Sequence, residues 1–271
     1  MKSVFFISDR TGITTESLGN ALLTQFPLQS FKRDFIPFVD SEVRADQAIV
    51  KINGRYSQFG TRPIVFTSIM NKEIRNKFKL DYVCHIDFFE SFIPTLEIEL
   101  GQEASRAVGM SHGINDEAKY YKRIDAIDFS LYNDDGVTVK NYEAADVILV
   151  GVSRVGKTPT CLYLAVNYGI KAANYPFAEL DLSHHQLPKT LIPYHHKLFG
   201  LTIEAERLHH IRSNRLPNSQ YALLSTCKAE ISAAENILHH YGIPYLNVSK
   251  KSIEEISVAI MQRIKLNHNG S

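Results

Sequence analysis

The 271-residue chain has little cysteine, almost no net charge and no long apolar run, and each shortage narrows what it can do. Its three cysteines, Cys84, Cys161 and Cys227, are odd in number, far apart and form no CxxC pair. That argues against a disulfide framework or a zinc site and fits a reducing cytosol. Lysine and arginine number 30 against 29 aspartates and glutamates, a net charge of +1. No global field therefore draws the chain to nucleic acid or to an anionic membrane, and any anion site must be built locally. No segment approaches the roughly 20 apolar residues that span a bilayer. Asp9 and Arg10 end the opening apolar run too early for a signal peptide. The expectation is a cytoplasmic protein with no nucleic-acid and no membrane partner. HExxH is absent too. The doublets His184-His185 and His195-His196 place neighbours on different helix faces, so structural or solvated histidines are expected there rather than metal ligands.

What remains is an ordinary globular composition, 44% hydrophobic and 22% charged, long enough for one large or two moderate domains. Val4 to Ile7 reads as a buried strand, Ser8 to Gly12 as a polar turn, and Ile13 to Phe26 as a helix ending before Pro27. Strands at 64–67 and 82–86 and helices at 71–78 and 92–100 continue an α/β pattern. Gly109 to Asp116 reads as a loop, and Asn133-Asp134-Asp135-Gly136 as a strong turn, a hairpin or a domain connection. The second half repeats the logic, with strands at 147–152, 172–175, 198–203 and 245–248. Helices are expected at 157–167, 204–214, 228–241 and 252–265. The expectation is an N-terminal α/β domain, 1–144, followed by a P-loop kinase-like α/β domain, 145–271. No internal repeat at a fixed period is visible.

Gly151-Val152-Ser153-Arg154-Val155-Gly156-Lys157-Thr158 matches GxxxxGK[ST] in full, between a buried strand and an amphipathic helix as the motif requires. Glycines let backbone N–H groups converge on a phosphate, and the helix N-terminus adds partial positive charge. Lys157 neutralises the terminal phosphate, Thr158 offers a hydroxyl to Mg2+, and Arg154 adds a second cation or is a solvated loop residue. The acidic partner of the metal is less evident. The strand at 198–203 is followed by Glu204 rather than an aspartate, and Asp181 is a candidate either for that role or for a helix cap. Asp9, Arg10, Thr11 and Gly12, where a strand meets a helix, form a candidate second phosphate site or a plain capping turn. Lys119, Lys122 and Arg123 beside Tyr120 and Tyr121, and Arg207, Arg212 and Arg215 along one helix, suit anion binding and suit exposed helix faces equally.

With these residues in hand the chain resembles a known family. Gly151 to Thr160, continued by Leu162-Tyr163-Leu164-Ala165, is similar to the signature of the phosphoenolpyruvate synthase regulatory proteins and their relatives, the pyruvate, phosphate dikinase regulatory proteins. Ser8 to Thr14 is similar to the family's start, where glycine is frequent at the position of Arg10. Tyr121 to Phe129, Asp134-Asp135-Gly136, Ala173-Asn174-Tyr175-Pro176, Gly200-Leu201-Thr202, Arg207-Leu208 with Ile211-Arg212, and Ser252 to Ile256 resemble its other blocks. The resemblance covers nearly the whole chain. It implies a bifunctional enzyme that uses ADP to phosphorylate a threonine of its target, and inorganic phosphate to remove that group as pyrophosphate. Gly156 resembles the synthase branch, where the dikinase branch usually has serine. Phosphoenolpyruvate synthase is therefore the expected partner, with the dikinase as the alternative and a homodimer as a further expectation. A P-loop kinase of a small metabolite and a non-catalytic ADP sensor are the competing readings.

Overall fold

The computed structural model describes residues 1–107, 117–136 and 141–268, with the side chains of 118, 119 and 265–268 left aside. The loop expected at 109–116, the side chain of Lys119 and the last three residues lie outside the described residues. The rest divides into two compact α/β units, one holding 1–107 and the other 117–136 and 141–268.

The first unit runs β1 (Lys2–Ser8), α1 (Ile13–Leu23), β2 (Phe31–Ile36), α2 (Glu42–Phe59), β3 (Ile64–Ser68), α3 (Lys72–Asn76), β4 (Cys84–Asp87) and α4 (Phe88–Leu100). Its sheet is fully parallel in the order β2-β1-β3-β4. The central strand β1 is apolar without alternation because both its faces are covered. Phe5 and Ile7 pack with Ala45, Ala48 and Ile52 of α2, whereas Val4 and Phe6 pack with Leu23 of α1 and Phe88 of α4. Sequence reading passed over β2 and α2. As an edge strand, β2 is only half buried and carries charge at Lys32, Arg33 and Asp34. In α2 only Ala45, Ala48 and Ile52 are buried, too sparse and small a stripe to stand out.

The second unit runs α5 (Glu117–Tyr132), β5 (Val147–Gly151), α6 (Lys157–Tyr168), β6 (Ala172–Pro176), α7 (Glu179–His184), β7 (Leu198–Thr202), α8 (Ala205–Arg215), α9 (Leu224–His240), β8 (Tyr245–Asn247) and α10 (Ile253–His268). Its sheet is again parallel, in the order β6-β5-β7-β8. β5 is buried along its whole length between β6 and β7, which fixes the loop at its carboxyl end. Helix α6 packs against α5 and α10, while α9 packs against β7, α7 and α8. No helix among the described residues is long and apolar enough to cross a membrane.

Candidate functional site

The loop between β5 and α6 takes its shape from three residues in unusual backbone regions. Gly151 sits at φ +146°, where a Cβ would lie 2.3 Å from the Leu201 carbonyl oxygen of the neighbouring strand. Only glycine lets the chain leave the sheet there. Arg154 and Gly156 follow in the left-handed region, at φ +77° and +92°. Gly156 is the N-cap of α6 and offers no side chain to the first helical amides, which leaves those donors aimed at whatever sits above the helix.

Lys157 opens α6 and is only 5% exposed. Its Nζ donates to the carbonyl oxygens of Gly151 at 3.1 Å and Val152 at 2.8 Å, so the ammonium lies along the loop. Burial draws its pKa down to about 8, against the smaller opposing pull of Asp135. Thr158 donates its hydroxyl to Asp134 Oδ1 at 2.9 Å. Asn174, on β6, donates its amide to Thr158 Oγ1 at 3.2 Å and to Asp134 as well. The Asn174 side-chain oxygen accepts from the Asp135 amide at 3.1 Å, and its backbone pairs with Asn133 and Gly136. The turn 133–136 is thereby stitched onto β6, delivering Asp134 to Thr158 and Asp135 to the cavity over the β5–α6 loop. A cavity of about 260 Å³ lies over the loop, lined by Asp135, Ser153, Arg154, Lys157 and Thr158 among others. Arg154 is exposed at its edge.

The structure therefore brings together Gly151 to Thr158 and adds Asp134, Asp135 and Asn174, for which sequence reading had no role. Asp181 lies elsewhere: its Oδ2 accepts from the Ala178 amide at 2.8 Å and from the Tyr175 hydroxyl at 3.4 Å, holding the start of α7. Of the three arginines on α8, Arg207 and Arg215 are exposed and Arg212 is fully buried. Arg212 donates to the Ser153 carbonyl at 3.1 Å, to the Tyr221 carbonyl at 3.0 Å and to Glu230 at 2.6 Å, and it lies 3.9 Å over the Tyr221 ring. It ties the β5–α6 loop to α8 and α9. Arg123 of α5 donates to the Asn167 carbonyl at the end of α6. His184 and His195 each bond a backbone carbonyl. No cluster of three histidine, cysteine or acidic side chains able to hold a metal occurs among the described residues.

In the first unit, Asp9 is buried and accepts from the Met70 amide at 2.9 Å; burial raises its pKa. Arg10 and Thr11 are exposed, and Gly12, at φ +72°, precedes α1 without any side-chain cap.

A Mg2+ ion carried by a nucleotide asks for few protein ligands and prefers oxygen. The Thr158 hydroxyl beside the Asp134 carboxylate is such a pair.

A family model described as kinase/pyrophosphorylase matches residues 4–261. A "Putative phosphoenolpyruvate synthase regulatory protein" of Laribacter hongkongensis is 53% identical over 96% of this chain and 95% of its own length. Proteins of the same description from Legionella pneumophila (strain Corby) and Neisseria meningitidis serogroup C (strain FAM18) are each 49% identical. The first alignment covers 95% of both chains, the second 98% of this chain and 97% of the relative.

Proposed function

The chain belongs to the kinase/pyrophosphorylase family, and we propose that it both phosphorylates a threonine of phosphoenolpyruvate synthase from ADP and removes that phosphate with inorganic phosphate. The relatives' description supplies the target. The observation that carries the chemistry is the convergence of Lys157, Thr158 and Asp134 on one loop. In the forward reaction the threonine hydroxyl oxygen attacks the β-phosphorus of ADP. The bond to the bridging oxygen breaks, AMP leaves, and the hydroxyl proton passes to a base. In the phosphorylase reaction an oxygen of inorganic phosphate attacks the phosphothreonine phosphorus, the bond to the threonine oxygen breaks, and that oxygen takes up a proton, giving pyrophosphate and the free hydroxyl.

Both directions transfer one phosphoryl group between oxygens, a task of positioning and charge neutralisation. The loop amides and Lys157 hold the transferring group, with Arg154 as the second cation at the edge. Asp134 and Thr158 would hold Mg2+, which supplies charge neutralisation across the phosphates. Asp135 is the carboxylate that lines the phosphate cavity, and we assign it the threonine proton. Asp181 we assign to the cap of α7. One pocket serves both directions in this reading.

The test incubates the protein with phosphoenolpyruvate synthase, pyruvate and ATP (to load the target) and β-labelled ADP. Label is expected on a synthase threonine with the wild type and not with Lys157→Ala. An unlabelled synthase in the presence of bound ADP would turn attention to pyruvate, phosphate dikinase as target, and failure there to a nucleotide sensor.

A further inference from the structure

A second and larger cavity, of about 780 Å³, opens beside the phosphate loop between α7, α8 and α9. It lies within the range of small-molecule sites, whereas the 260 Å³ over the loop holds little more than phosphates. Ser153 lines both. Its hydroxyl accepts from the Tyr221 hydroxyl at 3.0 Å, and its carbonyl is held by Arg212. The wall between the two spaces is thus one residue of the loop itself.

Charge decides what the larger cavity takes. Two carboxylates, Glu179 and Glu230, line it together with Arg212, whose guanidinium is already engaged by Glu230 and by two carbonyls. A second phosphate would meet an excess of negative charge and a cation already held in three hydrogen bonds. An uncharged group bearing hydroxyls and a flat ring meets a better surface. The buried side chains of Phe177, Leu182 and Ala233 supply apolar wall, and the carboxylates accept from hydroxyl or amino donors.

We infer that this cavity seats the nucleoside half of the nucleoside diphosphate whose phosphates rest on the Gly151–Thr158 loop. The inference rests on the phosphate-loop reading above and adds to it the place where nucleotide is told apart from bare phosphate. Ligands with and without the nucleoside separate the two ideas.

The experiment is calorimetric titration of the full chain with ADP and, separately, with pyrophosphate. It compares wild type, Lys157→Ala, and two variants that fill the cavity from opposite walls at exposed positions, Ser183→Trp on α7 and Ala229→Trp on α9. Each filling variant is expected to weaken ADP on the order of tenfold or more while pyrophosphate stays within about twofold of wild type. Because the chain has no tryptophan of its own, the emission of either introduced indole should shift with ADP and not with pyrophosphate. Unchanged ADP affinity in both variants overturns the inference. So does unchanged ADP affinity joined to a raised KM for the phosphorylated synthase, which would give the cavity to the protein substrate. Pyrophosphate binding that Lys157→Ala leaves intact removes the phosphate-loop reading, and the inference with it.

Discussion

The two units share one plan and differ in what they do with it. Each has a parallel sheet in which the first strand lies between the second and third and the fourth closes the edge, β2-β1-β3-β4 and β6-β5-β7-β8. Each first strand runs through a short turn and a left-handed glycine, Gly12 or Gly156, into a helix. Open sheets of this kind bind ligands where the strand order reverses, at the carboxyl ends of the strands. In the first unit the polar groups at that place bond to one another and to the next strand's end. Ser68 Oγ donates to Ser8 Oγ at 3.1 Å, the Thr15 hydroxyl bonds to Ser68, and Asp9 turns to the Met70 amide. In the second unit the turn is five residues, 152–156, rather than four, 9–12. Its helix begins with a buried lysine where the first unit has an exposed isoleucine, Ile13. On the reading proposed above, a common scaffold offers the position, and the residues of one turn decide whether phosphate is received there.

The sharpest break in that comparison is Lys157→Met, set against Ile13→Met. The first should lower both kinase and phosphorylase rates on the order of 10²–10³-fold, the scale of losing one charge-stabilising donor; the second should leave them unchanged. Stability should move the other way. The Lys157 pKa falls from the usual 10.5 to about 8 in the folded protein. Between those values the unfolded chain binds more protons than the folded one, so wild-type stability rises with pH across that window. Below pH 8 the buried charge burdens the fold. Lys157→Met should therefore be more stable than wild type at pH 7, by up to about 3 kcal/mol, with the gap closing toward pH 10.5. Denaturant titrations at pH 7 and pH 10 check the sign.

Asp134→Asn comes next. It keeps the shape of the turn and removes the carboxylate from Thr158, so turnover should drop by about 10²-fold and no longer respond to added Mg2+. Asp9→Asn, the parallel change in the first unit, should leave turnover alone. If Asp181→Asn is the change that abolishes Mg2+ dependence, the assignment of the ion to Asp134 fails.

Asp134 also marks where the sequence stopped being informative. The strand–loop–helix around the candidate phosphate site was readable because all its parts are contiguous: strand, glycines, Lys157, Thr158 and helix. So were the buried strands β1 and β5, whose unbroken apolar runs come from burial on both faces. Asp134 stands in a turn 24 positions before Thr158, and the turn signal of Asn133 to Gly136 says nothing of where it docks. The docking is done by Asn174, a polar residue at 1% exposure inside β6. A buried asparagine in an otherwise apolar strand was the available clue. Arg212 was visible only as one of three helix arginines. Its burial depends on α9 bringing Glu230 and on the Tyr221 turn, contacts that no local spacing encodes.

Arg212 gives a smaller, structural effect. Arg212→Met leaves Glu230 without its cation and frees the Ser153 carbonyl, and should cost about 2–4 kcal/mol of stability. Arg212→Lys keeps the charge but not the planar fork that reaches two carbonyls and a carboxylate together, and should recover only part of it. Both are measured by denaturant midpoint. Loss of equal size from Arg207→Met, an exposed neighbour, would mean that α8 rather than the tether matters.

The smallest expected effect bears most directly on the comparison. Thr11 lies in the first unit's turn and is exposed, so Thr11→Ala should change stability by less than about 0.5 kcal/mol. If the second unit alone receives phosphate, the KM values for ADP in the kinase direction and for inorganic phosphate in the phosphorylase direction should both stay at wild-type values. A raised KM for inorganic phosphate with an unchanged KM for ADP would show that the first turn, for all its internal bonding, holds the phosphate of the reverse reaction. The two units would then be two phosphate sites with one plan, and the single-pocket account of the two activities would be wrong. The same assay on Lys157→Ala supplies the control, since one shared pocket requires that variant to lose both directions together.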